Sequence, residues 1–258
     1  MKPIGAAEEP GCLAEWRAAN PNESWEAFKA ANGSLTQAGC SGQLYRALAA
    51  AQWHICAYCE IRLDPPLGAQ VEHWHPKSDT TTTHNWGLDF ANFTAACEGG
   101  VRADIPNGRC VTPIKDTQHC GAAKADYDWT AEILDPRVDV PRNLALWDVR
   151  DDGRIGVRPI ADLPLRERAV KTIERLNLDS KALRPLRQAL WEELSKDVVA
   201  AWVELGDPSD EAYGLARRRV AESRLGVVEG KLQPFWSTIR SYFDDVAEQW
   251  ISEHPEVF

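Results

Sequence analysis

The chain has 258 residues, of which 44% are hydrophobic, and its formal net charge is −10. Such a chain can bury the core of one large domain or of two modest ones without disulfide bonds. The acidity excludes a protein that holds nucleic acid by bulk charge alone, because phosphate contacts need local lysine and arginine. We find no secretory leader and no run of about 18 apolar residues, so we expect a cytoplasmic protein without a membrane partner.

Acidic side chains outnumber basic side chains in both halves of the chain. Residues 1–130 carry 10 basic and 15 acidic side chains, and residues 131–258 carry 19 and 24, so each half is at −5. Two arginine clusters are candidate nucleic-acid patches: Arg184 with Arg187, and the run Arg217-Arg218-Arg219. A solvated helix face explains either cluster more simply.

Two helices are predicted upstream of the Cys56-x-x-Cys59 pair. The first covers residues 22–31, with Asn22 as its N-cap and two aromatic side chains three positions apart on one face. The second is capped by Ser41 and follows a leucine stripe to Gln52, so it delivers the chain to the cysteine pair.

Short strands and loops are predicted between the cysteines. Residues 64–92 contain repeated proline, glycine and threonine, which indicate short strands joined by loops, with 71–75 as the best strand. Residues 98–119 are rich in glycine, proline, aspartate and asparagine. They predict a long inserted loop, and such a loop in a compact domain is usually functional or mobile.

The second half of the chain is predicted to be helical after one β-hairpin. Residues 144–149 and 154–157 flank the turn Asp151-Asp152-Gly153, which is typical of a hairpin. Apolar residues at three-and-four spacing, or a capping serine, then mark four helices. These contain Leu165 to Leu176, Leu183 to Val198, the segment capped by Ser209, and Phe235 to Trp250.

Clustered cysteines predict a zinc site. In a reducing cytosol, an odd set of cysteines with one C-x-x-C pair indicates metal binding before disulfides. Cys56 and Cys59 supply one half of a tetrahedral site, because a tight turn brings both thiolates to one side. For the other half we favour Cys97, which follows a strand, and Cys120, which opens a segment of helical composition. Pairs that include Cys110 remain open.

Cys12 and Cys40 lie outside this cluster. They are expected to be structural or free thiols.

Glu72, His73 and Asn92 predict phosphodiester hydrolysis. That reaction needs a base, a divalent cation and a group that orients the base. His73 suits the base because its imidazole is largely neutral at working pH, Glu72 suits magnesium or manganese, and Asn92 can hold His73 or the loop. In a regular strand Glu72 and His73 point to opposite faces, and His75 shares the face of His73. For Glu72 and His73 to serve one cation, the strand must therefore end or twist near Pro76.

These motifs resemble HNH endonucleases, more narrowly those of the retron and Septu anti-phage defence systems, the PtuB-like group. The resemblance rests on Cys56-Ala57-Tyr58-Cys59-Glu60, Glu72-His73-Trp74-His75-Pro76-Lys77-Ser78, Asn92-Phe93-x-x-x-Cys97, His119-Cys120-Gly121-x-x-Lys124 and Ala169-x-x-x-Ile173-x-x-Leu176-Asn177-Leu178.

The resemblance implies an α+β, mostly helical fold. A zinc-stapled ββα-metal unit would lie within residues 1–130 behind N-terminal helices, and residues 131–258 would form a helical region with a small β-hairpin. It implies zinc on four cysteines, a separate catalytic magnesium or manganese ion, and nucleic acid as substrate, with Lys124 as a phosphate contact. The implied partners are an ATPase of the ABC or SMC type (PtuA-like) and a retron reverse transcriptase complex. Residues 131–258 contain no group of candidate catalytic or metal-binding residues, and they are expected to dock the partner.

One position departs from the family. Zinc-knuckle HNH proteins commonly place His or Asn after the last cysteine as a ligand of the catalytic cation, but this chain has Gly121. The second protein ligand is then absent or comes from Asp126, His119 or His75. The alternative function is a non-catalytic, zinc-stabilised adaptor that binds nucleic acid or protein.

Overall fold

The computed structural model describes residues 1–63, 68–100 and 117–255. Within these ranges the fold is mostly helical with two small antiparallel sheets, which confirms the α+β prediction at that level. No helix in them combines the length and apolar character needed to cross a membrane. The elements, in chain order, are α1 (Gly11–Ala19), α2 (Trp25–Asn32), α3 (Cys40–Ala51), β1 (Ala69–His73), β2 (Phe93–Cys97), α4 (Gly121–Lys124), β3 (Trp147–Val149), β4 (Ile155–Val157), α5 (Leu163–Arg175), α6 (Arg184–Leu205), α7 (Asp210–Leu225), α8 (Trp236–Phe243) and α9 (Asp245–Glu253).

The N-terminal helices begin at different caps from those predicted. Ser24 rather than Asn22 caps α2, because its side chain accepts a hydrogen bond from the backbone N–H of Ala27 at 3.1 Å. Gly39 precedes α3, so Ser41 lies inside the helix and is buried. Helix α1 was not predicted, because its N-cap Pro10 makes no side-chain hydrogen bond and gives no capping signal in the sequence.

A disulfide joins Cys12 in α1 to Cys40 at the start of α3. The two cysteines therefore have a structural role, which is one of the two alternatives expected for them. The pairing explains how a helix without a capping side chain is held against the rest of the N-terminal region.

Strands β1 and β2 pair antiparallel, with Glu72 opposite Thr94 and His73 opposite Phe93. β1 ends at His73, two residues before the predicted end of the strand. It ends there because the next backbone groups turn to Asn92: the N–H of Trp74 donates to the Asn92 carbonyl at 2.8 Å, and the N–H of His75 donates to the Asn92 side chain.

The C-terminal region contains the predicted hairpin, β3 with β4, and Ser209 caps α7 as predicted. The segment from Phe235 to Trp250, predicted as one helix, forms two. Asp244, between α8 and α9, has φ 48°, which breaks the helix. The apolar spacing continues across the break because both helices pack on the same core.

Two hydrophobic cores organise the chain. The smaller one lies among α6, α7, α8 and α9 and also contains Ile55. The larger one combines residues from both sides of the predicted boundary at residue 130, including Leu44, Tyr58, Phe93, Trp147, Leu176 and Phe235. The predicted regions 1–130 and 131–258 therefore share a core in this structure.

Candidate metal centre and active site

Four cysteines from three parts of the chain form one buried cluster. The sulfur atoms of Cys56, Cys59, Cys97 and Cys120 all lie within 4.8 Å of one another, and each residue is at most 3% exposed. The Cys56 and Cys120 sulfurs are 3.9 Å apart, and those of Cys59 and Cys97 are 3.6 Å apart. These are the four cysteines that the sequence favoured as ligands. Cys110 lies outside the described residues.

Backbone hydrogen bonds bring the four sulfurs together. Cys56 and Cys59 lie in a tight turn in which the N–H of Glu60 donates to the Cys56 carbonyl at 3.1 Å. This turn docks on the end of β2, where the N–H of Cys97 donates to the Cys56 sulfur at 3.3 Å. Cys120 directly precedes α4, and its N–H donates to the Leu176 carbonyl at 2.8 Å.

The cluster fits zinc by geometry and by donor chemistry. A zinc–sulfur bond of about 2.3 Å in a tetrahedron gives sulfur–sulfur edges of about 3.8 Å, close to the two separations above. Burial raises the pKa of Cys59, but hydrogen bonds from Cys120, Cys56 and Cys97 outweigh burial and hold that pKa well below its ordinary value, whereas burial and the neighbouring sulfurs raise the pKa of Cys120 well above its ordinary value. Four clustered cysteine sulfurs are a common donor set for structural zinc, so the four cysteines could hold a structural zinc ion.

Gln52 hydrogen-bonds to the strand that carries Cys97. Its side-chain nitrogen donates to the Ala95 carbonyl at 2.7 Å, and its oxygen accepts from the Ala95 N–H at 2.8 Å. It thereby joins the end of α3 to the middle of β2, and it is 1% exposed. From the sequence Gln52 was predicted only as the end of a helix, because the strand residue that it contacts is 43 positions away.

Glu72 projects from one face of β1 into a buried ion pair. Its carboxylate lies 3.3 Å from the ammonium group of Lys124, which is 2% exposed and also donates to the His73 carbonyl at 2.8 Å. Burial raises the pKa of Glu72, and the charge of Lys124 opposes that rise. Lys124 therefore compensates the charge of Glu72 here, and a phosphate has no open path to it.

His73 projects from the opposite face of β1. Its ring packs edge-on against Trp25 and Phe93, with centroid separations of 5.0 and 4.9 Å. Its Nε2 atom lies 3.2 Å from the Gly87 carbonyl oxygen. Burial lowers the pKa of His73 to about 4, although the Gly87 carbonyl acts in the other direction. The imidazole is therefore neutral near pH 7.

Asn92 holds the loop between the strands. Its side-chain oxygen accepts from the His75 N–H at 2.7 Å, and its nitrogen donates to the carbonyls of His75 and Trp86, both at 2.9 Å. Of the two partners considered for Asn92, the structure provides the loop. The same loop carries the Gly87 carbonyl that contacts His73, so Asn92 acts on His73 through the backbone.

Gly121 makes room for Glu72. A Cβ atom at this position would lie 2.2 Å from a carboxylate oxygen of Glu72 and 2.9 Å from the side-chain nitrogen of Gln70. An Asn or His at position 121 would therefore have to displace the Glu72 carboxylate from its present place.

The three residues considered as replacement ligands lie in different places. The His119 Nδ1 atom is 3.2 Å from the Cys120 sulfur, so His119 belongs to the cysteine cluster. The His75 ring packs at a tilt against Trp86, and its nitrogens lie 2.7 Å from Asp79 and 3.6 Å from Asp128. Asp126 is exposed. Among the described residues, none of the three makes a hydrogen bond or ion pair with Glu72, although the negative charge of Asp126 contributes to the raised pKa of Glu72 after burial and the opposing effect of Lys124.

Neither arginine cluster forms an open basic patch. Arg184 pairs with Asp179 at 2.6 Å, and Arg187 is 3% exposed. Arg217 donates to the Phe243 carbonyl, Arg218 to Gln249 and Arg219 to Glu204. The contacts of Arg217, Arg218 and Arg219 agree with a solvated helix face, whereas the burial of Arg187 does not.

Comparison with known proteins points to one class. No protein-family model matches the chain. A candidate HNH endonuclease of retron Ec83 from Escherichia coli is 31% identical to it over 148 residues. That alignment covers 53% of this chain and 54% of the relative, so the chain spans about half the length of the curated relative it matches. The similarity supports an HNH endonuclease.

Proposed function

We propose that the protein is a metal-dependent HNH endonuclease that hydrolyses phosphodiester bonds in DNA or RNA. The observation that carries the proposal is the setting of His73, a neutral imidazole at the end of β1 with one ring nitrogen engaged by a backbone carbonyl. The order β1, β2, α4, with cysteines at the end of β2 and just before α4, agrees with the ββα-metal unit that the resemblance implies. The similarity to the E. coli relative supports the same class.

His73 is the proposed general base. Donation from its Nε2–H to the Gly87 carbonyl fixes the tautomer, which leaves the Nδ1 lone pair free to accept a proton from water. Asn92 is the proposed positioning residue, because it holds the loop that carries Gly87. A base in hydrogen-bond reach of the attacking water contributes about 10²- to 10⁴-fold to a rate.

Glu72 is the proposed ligand of the catalytic cation, magnesium or manganese. Such an ion would neutralise charge on the phosphate and on the leaving oxygen. Lys124 holds the same carboxylate, so cation and ammonium compete for Glu72. Release of Lys124 would let it make the phosphate contact expected from the sequence. Since Glu72 and His73 leave β1 on opposite faces, joint action also requires the strand end to twist when substrate binds.

The four cysteines are proposed to hold one structural zinc ion. The sulfur separations and the burial of all four cysteines support this role. Of the remaining expectations, we propose that the protein acts in anti-phage defence with an ABC- or SMC-type ATPase and a retron reverse transcriptase, and that residues 131–258 dock the partner. The name of the E. coli relative, which places that protein in a retron, is the support for this setting.

The direct test compares His73→Gln with the parent chain. Both are incubated with single- and double-stranded DNA and RNA in magnesium or manganese, with and without the ATPase. We expect His73→Gln to retain zinc and to lose cleavage by about 10²-fold or more. His84→Gln is the matched control. His84 lies in the loop between β1 and β2, is exposed and contacts Asp89. A His73→Gln variant that cuts every substrate as fast as the parent would refute the assignment.

A second candidate function is a zinc-stabilised adaptor without catalysis. The observation that favours it is the Glu72–Lys124 pair beside Gly121, which engages the only carboxylate proposed for the catalytic cation. A parent chain that binds one zinc ion and nucleic acid, yet cleaves nothing with or without the ATPase, would establish the adaptor instead.

A further inference from the structure

Arg187 is a buried charge that the proposed reaction does not use. It lies near the start of α6 and is 3% exposed. Its Nη1 atom is buried and has no hydrogen-bond partner among the residues that the structure describes. Its guanidinium carbon lies 5.9 Å from the centre of the Phe235 ring. Burying a guanidinium is strongly unfavourable without compensating negative charge, so the position needs an anionic neighbour.

Phe235 connects Arg187 to the turn that carries Cys59. The Arg187 guanidinium faces the Phe235 ring, and the N–H of Phe235 donates to the carbonyl of Glu60, the residue after Cys59, at 2.9 Å. Burial lowers the pKa of Arg187, whereas negative charge on Cys59, Glu60, Asp179 and Cys120 raises it. The two carboxylates are already engaged: Asp179 pairs with Arg184, and Glu60 accepts two hydrogen bonds from Ser237 at 2.6 and 2.7 Å. Cys59 and Cys120 remain, and both belong to the cluster.

Metal binding would increase the negative charge that Arg187 faces. Metal-ligating cysteines are thiolates, so four of them around one Zn²⁺ carry a net charge of −2. Such a centre in a buried site attracts a nearby cation strongly, because the interior screens charge much less than water does. Groups that act on metal ligands from outside the coordination sphere commonly change metal affinity by about 10- to 100-fold.

We propose that Arg187 is the buried counter-charge of the zinc–tetracysteine centre, and that zinc binding thereby fixes the start of α6 to the cysteine cluster. The inference rests on the zinc site proposed above. It makes Arg187 a positioning residue that acts through the ligand cysteines. It also gives the metal a role beyond the nuclease unit, because α6 belongs to the helical region that is proposed to dock the partner.

A second contact joins the same two regions. The N–H of Cys120 donates to the Leu176 carbonyl, and the Asn177 side chain donates to the Gln118 carbonyl at 2.7 Å. Leu176 and Asn177 follow α5, so the C-terminal region reaches the cluster through α5 as well as through α6. This contact is made by backbone and amide groups without charge, and we expect it to depend less on the metal.

The test measures zinc affinity of the full chain by competition with a chromophoric chelator. Arg187→Met removes the charge and keeps much of the volume, Arg187→Lys keeps the charge, and Lys196→Met removes an exposed charge from the same helix. We expect Arg187→Met to bind zinc about 10- to 100-fold more weakly than the parent, and Arg187→Lys and Lys196→Met to stay within about threefold. An Arg187→Met affinity within threefold of the parent overturns the inference.

Hydrogen exchange on the parent chain covers the case in which Arg187→Met does not fold. Removal of zinc by a chelator should speed exchange of backbone amides at the start of α6, around residues 187–190, more than in α7. Equal protection of α6 with and without zinc overturns the inference while the zinc site stands. A parent chain that binds no zinc overturns the zinc site and this inference together.

Discussion

The ammonium group of Lys124 lies 3.3 Å from the carboxylate of Glu72, and both side chains are nearly excluded from solvent. The pair ties the last residue of α4 to β1. The proposed cation ligand is therefore charge-compensated by the protein itself, which makes the pair accessible to tests of stability as well as of activity.

We expect Lys124→Met to destabilise the protein by about 3–5 kcal/mol, because it leaves the buried Glu72 carboxylate without a positively charged partner. The double variant Lys124→Met, Glu72→Gln should recover much of this loss, since no unpaired charge remains. Urea denaturation of the two single variants, the double variant and the parent measures the coupling. Lys29→Met, at an exposed lysine, is the control. A change below about 1 kcal/mol for Lys124→Met would contradict the ion-pair assignment.

We expect Gly121→Ala to destabilise the chain by about 1–3 kcal/mol, because the new Cβ would lie 2.2 Å from a Glu72 oxygen. In a Glu72→Ala background the same substitution should be neutral or slightly stabilising, since alanine favours a helix over glycine. The matched control is Gly214→Ala in α7, where no neighbouring atom lies within 4 Å of the added Cβ. Equal effects of Gly121→Ala in both backgrounds would show that the Glu72 contact is not what limits this position.

Acidification should destabilise the fold through His73. The pKa of His73 is about 4 in the folded chain, against an ordinary value of 6.5. Between pH 6.5 and pH 4, His73 is therefore protonated in the unfolded chain and neutral in the folded chain. The contribution to stability is fully present above pH 6.5 and is lost as the pH falls toward 4. Melting temperatures from pH 7.5 to 4.5 should fall less steeply for His73→Gln than for the parent and for His84→Gln. Parallel curves for all three would contradict the lowered pKa.

Cleavage should keep its rate at mildly acidic pH for the same reason. The neutral form of His73 is the proposed base, and a pKa of about 4 keeps that form dominant at pH 5.5. We expect the acid limb of the single-turnover rate to lie below pH 5, measured with magnesium in excess. An acid limb near pH 6.5 would indicate a base with an ordinary imidazole pKa.

Zinc content should distinguish the cysteines that bind zinc from those that do not. We expect Cys97→Ser and Cys120→Ser to lose the single zinc ion and much of their thermal stability, because structural zinc contributes directly to folding. Cys110→Ser should retain one zinc ion per chain, measured by elemental analysis of purified protein. Cys12→Ser is the control for loss of a cysteine outside the cluster, since it removes only the disulfide to Cys40. Zinc lost from Cys110→Ser and kept by Cys97→Ser would reverse the ligand assignment.

Local signals in the sequence predicted several features that the structure contains. A serine before a helical run placed the start of α7 at Ser209, and Asp151-Asp152-Gly153 placed the β3–β4 hairpin. The spacing of Cys56 and Cys59 marked the metal turn. These features depend on residues a few positions apart, so a single sequence contains the information.

Long-range packing decided the rest. The selection of Cys97 and Cys120 as neighbours of Cys56, the pairing of Cys12 with Cys40, and the occupation of the space beside Gly121 by Glu72 all join residues that are 28 or more positions apart. The sequence gives no sign that Arg187 is buried, yet the structure leaves only 3% of it exposed. The sequence by itself determined which chemical groups the chain contains and where local turns begin. The tertiary structure decided which groups face each other, because burial and charge compensation depend on neighbours that only the folded chain brings together.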